Sequence, residues 1–161
     1  MILAECQADT LLAKLLLPGY DIDRSCNIGA VANRFEKFYK NRKAIGIIDY
    51  DKNMGRTFKQ FKKYNENDLP NMKHLWNNQY HHLIYFKKGL EHFIDESATQ
   101  AKLDRNKYPK FNSMQQIRIY TKSIDVDKND EFKTFLFHIR DRKPANFETF
   151  TKWIMEINSL K

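Results

Sequence analysis

The spacing of hydrophobic residues changes character along this 161-residue chain. Over the first 95 residues, short apolar runs alternate with stretches in which apolar residues recur every three or four positions. The short runs predict strands at residues 2–4 and 81–86 and in the stretch of residues 44–53, and a more polar strand is predicted at residues 20–27. The other stretches predict helices at residues 10–17, 30–43 and from residue 90 onward. Strands that alternate with helices predict an α/β fold, with a sheet of about four mainly parallel strands flanked by helices.

Beyond residue 95 the pattern is helical, with predicted helices at residues 113–122, 130–140 and 146–160. The last two each place four apolar residues on one face: Phe132, Phe135, Leu136 and Ile139 in one, and Phe147, Phe150, Ile154 and Ile157 in the other. We therefore expect a single domain over residues 1–161, formed by an α/β core at residues 1–95 and a helical extension at residues 96–161 packed on it.

The predicted central strand is continuously apolar and ends in two carboxylates, Asp49 and Asp51. A strand of this kind is typical of a parallel sheet covered on both faces. Open α/β sheets bind ligands at the carboxyl ends of their strands. In an extended chain, the side chains of residues two positions apart point to the same face. The mutual repulsion of two such carboxylates favours a bound cation such as Mg²⁺. The alternative is a solvated loop in which the aspartates cap local backbone.

The chain is basic, with 28 Lys and Arg against 20 Asp and Glu and a net charge of +8. This balance favours an anionic partner, and nucleic acid fits it best. The candidate contacts to nucleic acid lie on two basic stretches and are Arg34, Lys37, Arg56, Lys59 and Lys63. A solvated helix surface is the alternative explanation for each of them.

Several classes of protein are not expected from the sequence. Cys6 and Cys26 are the two cysteines, and their spacing indicates neither a disulfide framework nor a zinc ribbon. We expect a reduced cytoplasmic protein without a signal peptide and without membrane association. Because the P-loop pattern is absent, ATP hydrolysis by this chain is not expected.

The order of the acidic residues resembles that of Toprim domains. Glu5 closes the first predicted strand, Asp9 follows four residues later, and Asp49 and Asp51 end the central strand. The pattern is most similar to the nucleases of the overcoming-lysogenization-defect (OLD) type and to small defence-associated Toprim proteins. It covers roughly residues 1–95, and Cys6 stands where these proteins usually have glycine.

The resemblance implies phosphodiester chemistry on nucleic acid, most simply DNA, with Mg²⁺ or Mn²⁺ as the cofactor. By this resemblance the catalytic residues are Glu5, Asp49, Asp51, Lys87 and Lys88. The implied metal ligands are Glu5, Asp9, Asp49, Asp51 and Glu91. A partner ATPase or a homo-oligomer is left open.

Each of the acidic candidates outside the central strand has a purely structural alternative. Glu5 is equally well explained as a capping carboxylate of the first helix, Asp9 is typical of a helix N-cap, and Glu91 is typical of a solvated helix residue. Two other functions stay open for the whole chain. One is a non-catalytic Toprim-like module that binds a partner protein, and the other is a phosphatase of the haloacid-dehalogenase type. The sequence does not decide whether the chain is an enzyme.

Overall fold

The computed structural model describes residues 1–49, 56–64, 69–77 and 80–160, with the backbone alone at residues 56 and 57. The strands are β1 (Ile2–Ala4), β2 (Ile22–Arg24), β3 (Ala44–Asp49), β4 (Lys62–Lys63), β5 (Met72–Trp76) and β6 (His81–Phe86). The α-helices are α1 (Gln7–Leu16), α2 (Ile28–Lys37), α3 (Leu90–Gln100), α4 (Met114–Thr121), α5 (Asp130–Asp141) and α6 (Ala145–Ser159). Short 3-10 segments lie at Arg56–Gln60, Arg105–Lys107, Pro109–Phe111 and Val126–Lys128.

The described strands form one mixed sheet in the order β2-β1-β3-β6-β5-β4. Strands β2, β1, β3 and β6 are parallel, whereas β5 and β4 are antiparallel to their neighbours. The expected α/β fold is therefore confirmed, and the expected number of strands is too small. Strand β5 escaped prediction because its sequence, Met-Lys-His-Leu-Trp, mixes charged and apolar residues without a strong apolar run.

Helices cover both faces of the sheet. Helix α2 packs on one face through Val31 and Phe35, together with Phe58 of the first 3-10 segment and Phe61, which follows that segment. The other face packs against α1 and the C-terminal helices, where Phe86 of β6 stacks on Phe150 of α6 with ring centroids 6.1 Å apart. The predicted C-terminal helices thus cover a face of the sheet, as the apolar stripes of α5 and α6 require.

Helices α1 and α2 differ from their predicted bounds. Helix α1 begins at Gln7 rather than residue 10, because Cys6 is its N-cap. Helix α2 begins at Ile28, where Asn27 accepts a hydrogen bond from the Ala30 amide at 2.8 Å, and it ends at Lys37 rather than residue 43. In the part of the chain that the structure describes, no helix is both long enough and apolar enough to cross a bilayer.

Candidate active site

The connections of the parallel strands create a crevice between β1 and β3. Strand β1 has β2, the next strand in the sequence, on one side, and β3 on the other. The order of the strands therefore reverses at β1, and open α/β sheets bind ligands outside the carboxyl ends of the strands at such a point. Glu5 follows β1 directly and Asp49 ends β3, so both stand at this edge.

Glu5 and Asp49 are held together by the backbone. The Asp49 amide donates a hydrogen bond to Glu5 Oε2 at 2.9 Å, and the Glu5 amide donates to the Ile47 carbonyl at 2.9 Å. The second bond continues the pairing of β1 with β3, in which Ala4 stands opposite Ile47. The sheet register thus places the Glu5 carboxylate against the Asp49 backbone, at the edge of the sheet where the Asp49 side chain also lies.

Asp49 is oriented by two further groups. Its Oδ1 accepts a hydrogen bond of 2.8 Å from the Leu90 amide at the start of α3, and its Oδ2 lies 3.4 Å from Lys122 Nζ. Burial raises the pKa of the Asp49 carboxyl; the Lys122 ammonium opposes that rise, and the Glu91 carboxylate adds to it. A cation in the crevice would favour the ionised form of this group.

Asp9 lies behind this pair, in the first turn of α1, and is 1% exposed. It is the third residue of the helix and not its N-cap, which corrects the predicted cap. Cys6 and Asp9 form a reciprocal capping box, in which Asp9 Oδ2 accepts from the Cys6 amide at 3.1 Å. Asp9 Oδ1 is buried without a hydrogen-bond partner among the described residues. Burial raises the pKa of Asp9 well above its usual range, and the nearby Asp49 raises it further.

Glu91 is buried in α3, with 8% of its surface exposed, so it is not the solvated helix residue offered as the structural alternative. Its Oε1 lies 3.6 Å from Arg118 Nε of α4, and its Oε2 is buried without a described hydrogen-bond partner. A Cβ at Gly89, which has φ +91°, would lie 3.0 Å from Glu91 Oε2. Glycine therefore suits both the backbone angle and the space at this turn.

The predicted basic pair after β6 does not reach the carboxylates in any described contact. Lys87 Nζ donates to the Leu69 carbonyl at 2.8 Å, on the side of the sheet that carries β5. Lys88 is exposed. The described cations near the carboxylates come instead from α4, where Lys122 faces Asp49 and Arg118 faces Glu91. Their spacing of four residues along a predicted helix was the signal that could have indicated a shared basic face.

A cavity of about 310 Å³ opens beside the two carboxylates. It is lined by both acidic and basic side chains, with polar and apolar residues between them: Glu5, Cys6, Gln7, Arg24, Cys26, Asp49, Thr121, Lys122, Ser123 and Ile124. Arg24 Nη1 donates to Gln7 Oε1 within this wall. The cavity can accept a ligand that carries negative charge and binds a cation at the same time.

The predicted nucleic-acid contacts whose side chains are described do not line this cavity. Arg34 is ion-paired with Asp23, and Lys37, Lys59 and Lys63 are exposed. Helix α2 connects two parallel strands, so Lys37 at its C-terminus is at the edge where those strands begin, opposite Asp49. The side chain of Arg56 and all of Asp51 lie outside the described residues. The structure therefore leaves these candidate contacts as predictions.

The oxygen ligands present suit a hard divalent cation. Mg²⁺ is commonly held by one or two carboxylates and several waters, and Glu5 and Asp49 provide two carboxylates at one edge. The unpartnered Asp9 Oδ1 adds an uncompensated acidic atom behind them. Over the described ranges, no group of three or more His, Cys, Asp or Glu residues is arranged to hold a metal ion. Glu5 and Asp49 are thus the residues that would hold one.

Comparisons with models of known protein families, with curated proteins and with solved structures give no match.

Proposed function

We propose that this chain carries out metal-dependent phosphodiester chemistry on nucleic acid, as a nuclease or nickase of the Toprim type. The observation that carries the proposal is the 2.9 Å hydrogen bond from the Asp49 amide to Glu5 Oε2 at the carboxyl edge of the parallel strands. It holds the Glu5 carboxylate, directly after β1, against the end of β3 that carries Asp49, at the point where such sheets bind ligands. The Toprim resemblance and a role as a subunit of a defence system are part of the proposal.

Each residue of the site has a distinct task in this proposal. A bound Mg²⁺ or Mn²⁺ would polarise the phosphate and activate the attacking water. Glu5 and Asp49 provide the carboxylates for that ion, and the Leu90 amide fixes the orientation of Asp49. Lys122 and Arg24 place positive charge on the wall of the same cavity, where they can stabilise a phosphate as its charge grows.

The direct test is nicking of supercoiled plasmid by the purified chain with Mg²⁺ or Mn²⁺. We expect activity that falls by about a hundredfold or more in Glu5→Gln and in Asp49→Asn, because the cation contributes several kcal/mol to such reactions. Asp141→Asn is the matched control, since Asp141 is an exposed carboxylate paired with Arg140 on α5. Equal nicking by Asp49→Asn and by the wild type would contradict the proposal. Turnover of a phosphomonoester in its place would favour a phosphatase.

One observation favours a second candidate, a non-catalytic module that binds a protein partner. Lys122 lies 3.4 Å from Asp49 and Arg118 lies 3.6 Å from Glu91, so the chain provides cations of its own to these carboxylates. In this case the ion pairs hold α4 against the sheet edge. We would then expect no Mn²⁺ binding by calorimetry, no nicking, and a lower stability of Lys122→Met than of the wild type.

A further inference from the structure

The ion pair between α4 and the sheet edge has a consequence for substrate binding. We propose that Lys122 is a substrate-phosphate contact that Asp49 holds in place until a divalent cation takes over that carboxylate. The inference rests on the proposed function, because it assigns the phosphate-binding wall of the same site. Glu5, Asp49 and Lys122 all line this cavity, so it contains both halves of the arrangement.

The geometry of Lys122 fits a contact that can be exchanged. Its Nζ lies 3.4 Å from Asp49 Oδ2, which is long for a charge-assisted hydrogen bond, and 58% of its side chain is exposed. An ion pair whose lysine is exposed to solvent in this way contributes a modest free energy. Lys122 follows Thr121, the last residue of α4, so its long side chain can turn from Asp49 towards the cavity without unfolding the helix.

Charge balance gives the exchange a direction. Without a metal ion, Lys122 is the described cation whose ammonium group lies beside the Asp49 carboxylate. A divalent cation on Glu5 and Asp49 would compete with the ammonium for the same carboxylate and repel it. The displaced ammonium would lie beside Arg24 on the cavity wall, where a phosphate oxygen is a suitable new partner.

The surface around Lys122 favours a single strand of nucleic acid as the ligand. Ile119 and Ile124 flank it and are 70% and 82% exposed, and Arg118 is exposed on the same helix. Alternating basic and apolar side chains can contact both phosphates and unstacked bases, as surfaces that bind single strands do. Paired bases in a duplex would not offer their faces to these isoleucines.

The first arm of the test uses metal binding and does not depend on catalysis. Mn²⁺ affinity is measured by calorimetry for the wild type, Lys122→Met and Lys110→Met. Lys110 is the matched control, because its side chain is also 58% exposed and forms an ion pair, in this case with Glu131. It precedes the first residue of α4, whereas Lys122 follows the last one. We expect Lys122→Met to bind Mn²⁺ about threefold more tightly, because a competing ion pair is removed. Equal affinities for the wild type and Lys122→Met would overturn the competition between Lys122 and the metal.

The second arm uses a labelled single-stranded oligonucleotide without any metal. Asp49→Asn removes the charge that holds Lys122 and keeps an oxygen for the Leu90 amide, so we expect binding about tenfold tighter than in the wild type. In Asp49→Asn/Lys122→Met the gain in oligonucleotide affinity over the wild type should fall to about threefold or less. The slope of log affinity against log salt concentration should also fall in magnitude by about 0.7, because one phosphate contact is lost. Lys110→Met in place of Lys122→Met should leave the gain intact. Thermal unfolding confirms that each variant is folded.

The two arms distinguish the two proposals. In one case the wild type binds no Mn²⁺, while in the metal-free arm Asp49→Asn binds the oligonucleotide more tightly only when Lys122 is present. The proposed metal chemistry then fails, and Lys122 remains a phosphate contact. If Mn²⁺ binds through Asp49 while the gain of Asp49→Asn is the same with and without Lys122, the assignment of Lys122 is overturned and the metal site stands. A stronger response with duplex than with single-stranded DNA would overturn the choice of ligand.

Discussion

Asp9 carries a carboxyl group that the fold buries beside two others. Burial, and then the charge of Asp49, raise its pKa above the value of the unfolded chain. The folded state therefore binds more protons than the unfolded state above that ordinary value, and stability falls as the pH rises through the folded pKa. A residue that destabilises the fold at neutral pH in this way is typical of a functional site.

We predict that Asp9→Asn stabilises the protein at pH 8 and lowers the metal-dependent activity. The amide oxygen can still accept from the Cys6 amide, while the amide nitrogen replaces the unpartnered Oδ1 and carries no charge. As the pH rises from the pKa of Asp9 in the unfolded chain to its pKa in the folded chain, the stability of Asp9→Asn relative to the wild type should grow by about 1.4 kcal/mol per pH unit. Urea unfolding at several pH values from 4 to 8 measures it. A variant less stable than the wild type at pH 8 contradicts the prediction, and Asp141→Asn is the exposed control.

At this scale the sequence located the acidic residues and not their cationic partners. Glu5 and Asp49 could be paired in advance because both end predicted parallel strands, and strand ends share an edge. Lys122 and Arg118 could not be paired with them in advance, because their position depends on how α4 packs across the sheet edge. Lys122 is 73 residues from Asp49 along the chain. Lys87 and Lys88 were selected by sequence proximity to a strand end, but Lys87 turns towards the Leu69 carbonyl.

At the scale of elements, α2 approaches β3 closely at Gly46. A Cβ there would lie 2.9 Å from Leu83 Cδ1, 3.0 Å from Val31 Cγ1 and 3.1 Å from Phe35 Cζ. All three neighbours are almost fully buried, so they have little space in which to move.

We predict that Gly46→Ala lowers the free energy of unfolding by about 1–3 kcal/mol, as overpacking in cores does. Denaturant unfolding followed by circular dichroism measures the change. Leu83→Val removes Leu83 Cδ1, the atom nearest to the added methyl group. The loss of unfolding free energy in Gly46→Ala/Leu83→Val should therefore be smaller than the sum of the losses in the two single variants. Strictly additive effects would show that the methyl group finds space elsewhere.

Strands β5 and β6 bury a pair of histidines against α6. His74 Nε2 and His82 Nδ1 are 3.0 Å apart, and the outer nitrogen of each ring has no described hydrogen-bond partner. Burial first, and then charge on neighbouring groups, lower the pKa of His74 to about 3 and that of His82 to about 4. The unfolded chain therefore binds more protons than the folded one between about pH 4 and the ordinary histidine value of 6.5.

We predict that this pair makes the protein less stable as the pH falls from 6.5 towards 4. Each histidine contributes a slope of up to about 1.4 kcal/mol per pH unit, and the double variant His74→Gln/His82→Gln should lose that slope. Buried carboxyls such as Asp9 give stability the opposite dependence on pH, so urea unfolding alone would not isolate the histidines. Their ring protons are therefore followed by NMR over the same pH range. Ring signals that titrate near pH 6.5 would contradict the prediction.

The elements with clear periodicity were the ones that could be predicted. Strand β6 agrees with its predicted bounds at both ends, and α5 differs by one residue, because each has an uninterrupted apolar pattern. Helix α1 was predicted to start late because its cap is a cysteine, which seldom caps a helix. Strand β5 was missed because His74 is polar in sequence and buried in structure.

On the scale of the whole molecule, the C-terminal helices are part of the same core as the sheet. One cluster of buried residues runs from the sheet into α5 and α6, and includes Ile47, Phe86, Phe132, Phe135, Phe150 and Trp153. The sequence indicated that these helices have apolar faces but could not show which surface they cover. Periodicity shows which face of a helix is apolar, and it does not show which element packs against that face. The same packing brings α4, with Lys122, to the carboxylates at the sheet edge.

We predict that residues 1–112, without α4 to α6, do not fold cooperatively. Removing these helices exposes a sheet face that includes Ile47 and Phe86, and the lost burial of several aromatic side chains exceeds the 5–15 kcal/mol by which domains are usually stable. Far-UV circular dichroism and urea unfolding of the fragment, compared with a chain ending at Ser159, test this. Among the described hydrogen bonds, the control loses that of Lys43 to the Leu160 carbonyl and that of the Leu160 amide to the Ile157 carbonyl, so it should unfold within about 2 kcal/mol of the full chain. A cooperative transition in the fragment would show that the sheet with α1 to α3 is stable alone, and that α4 to α6 serve the site rather than the fold.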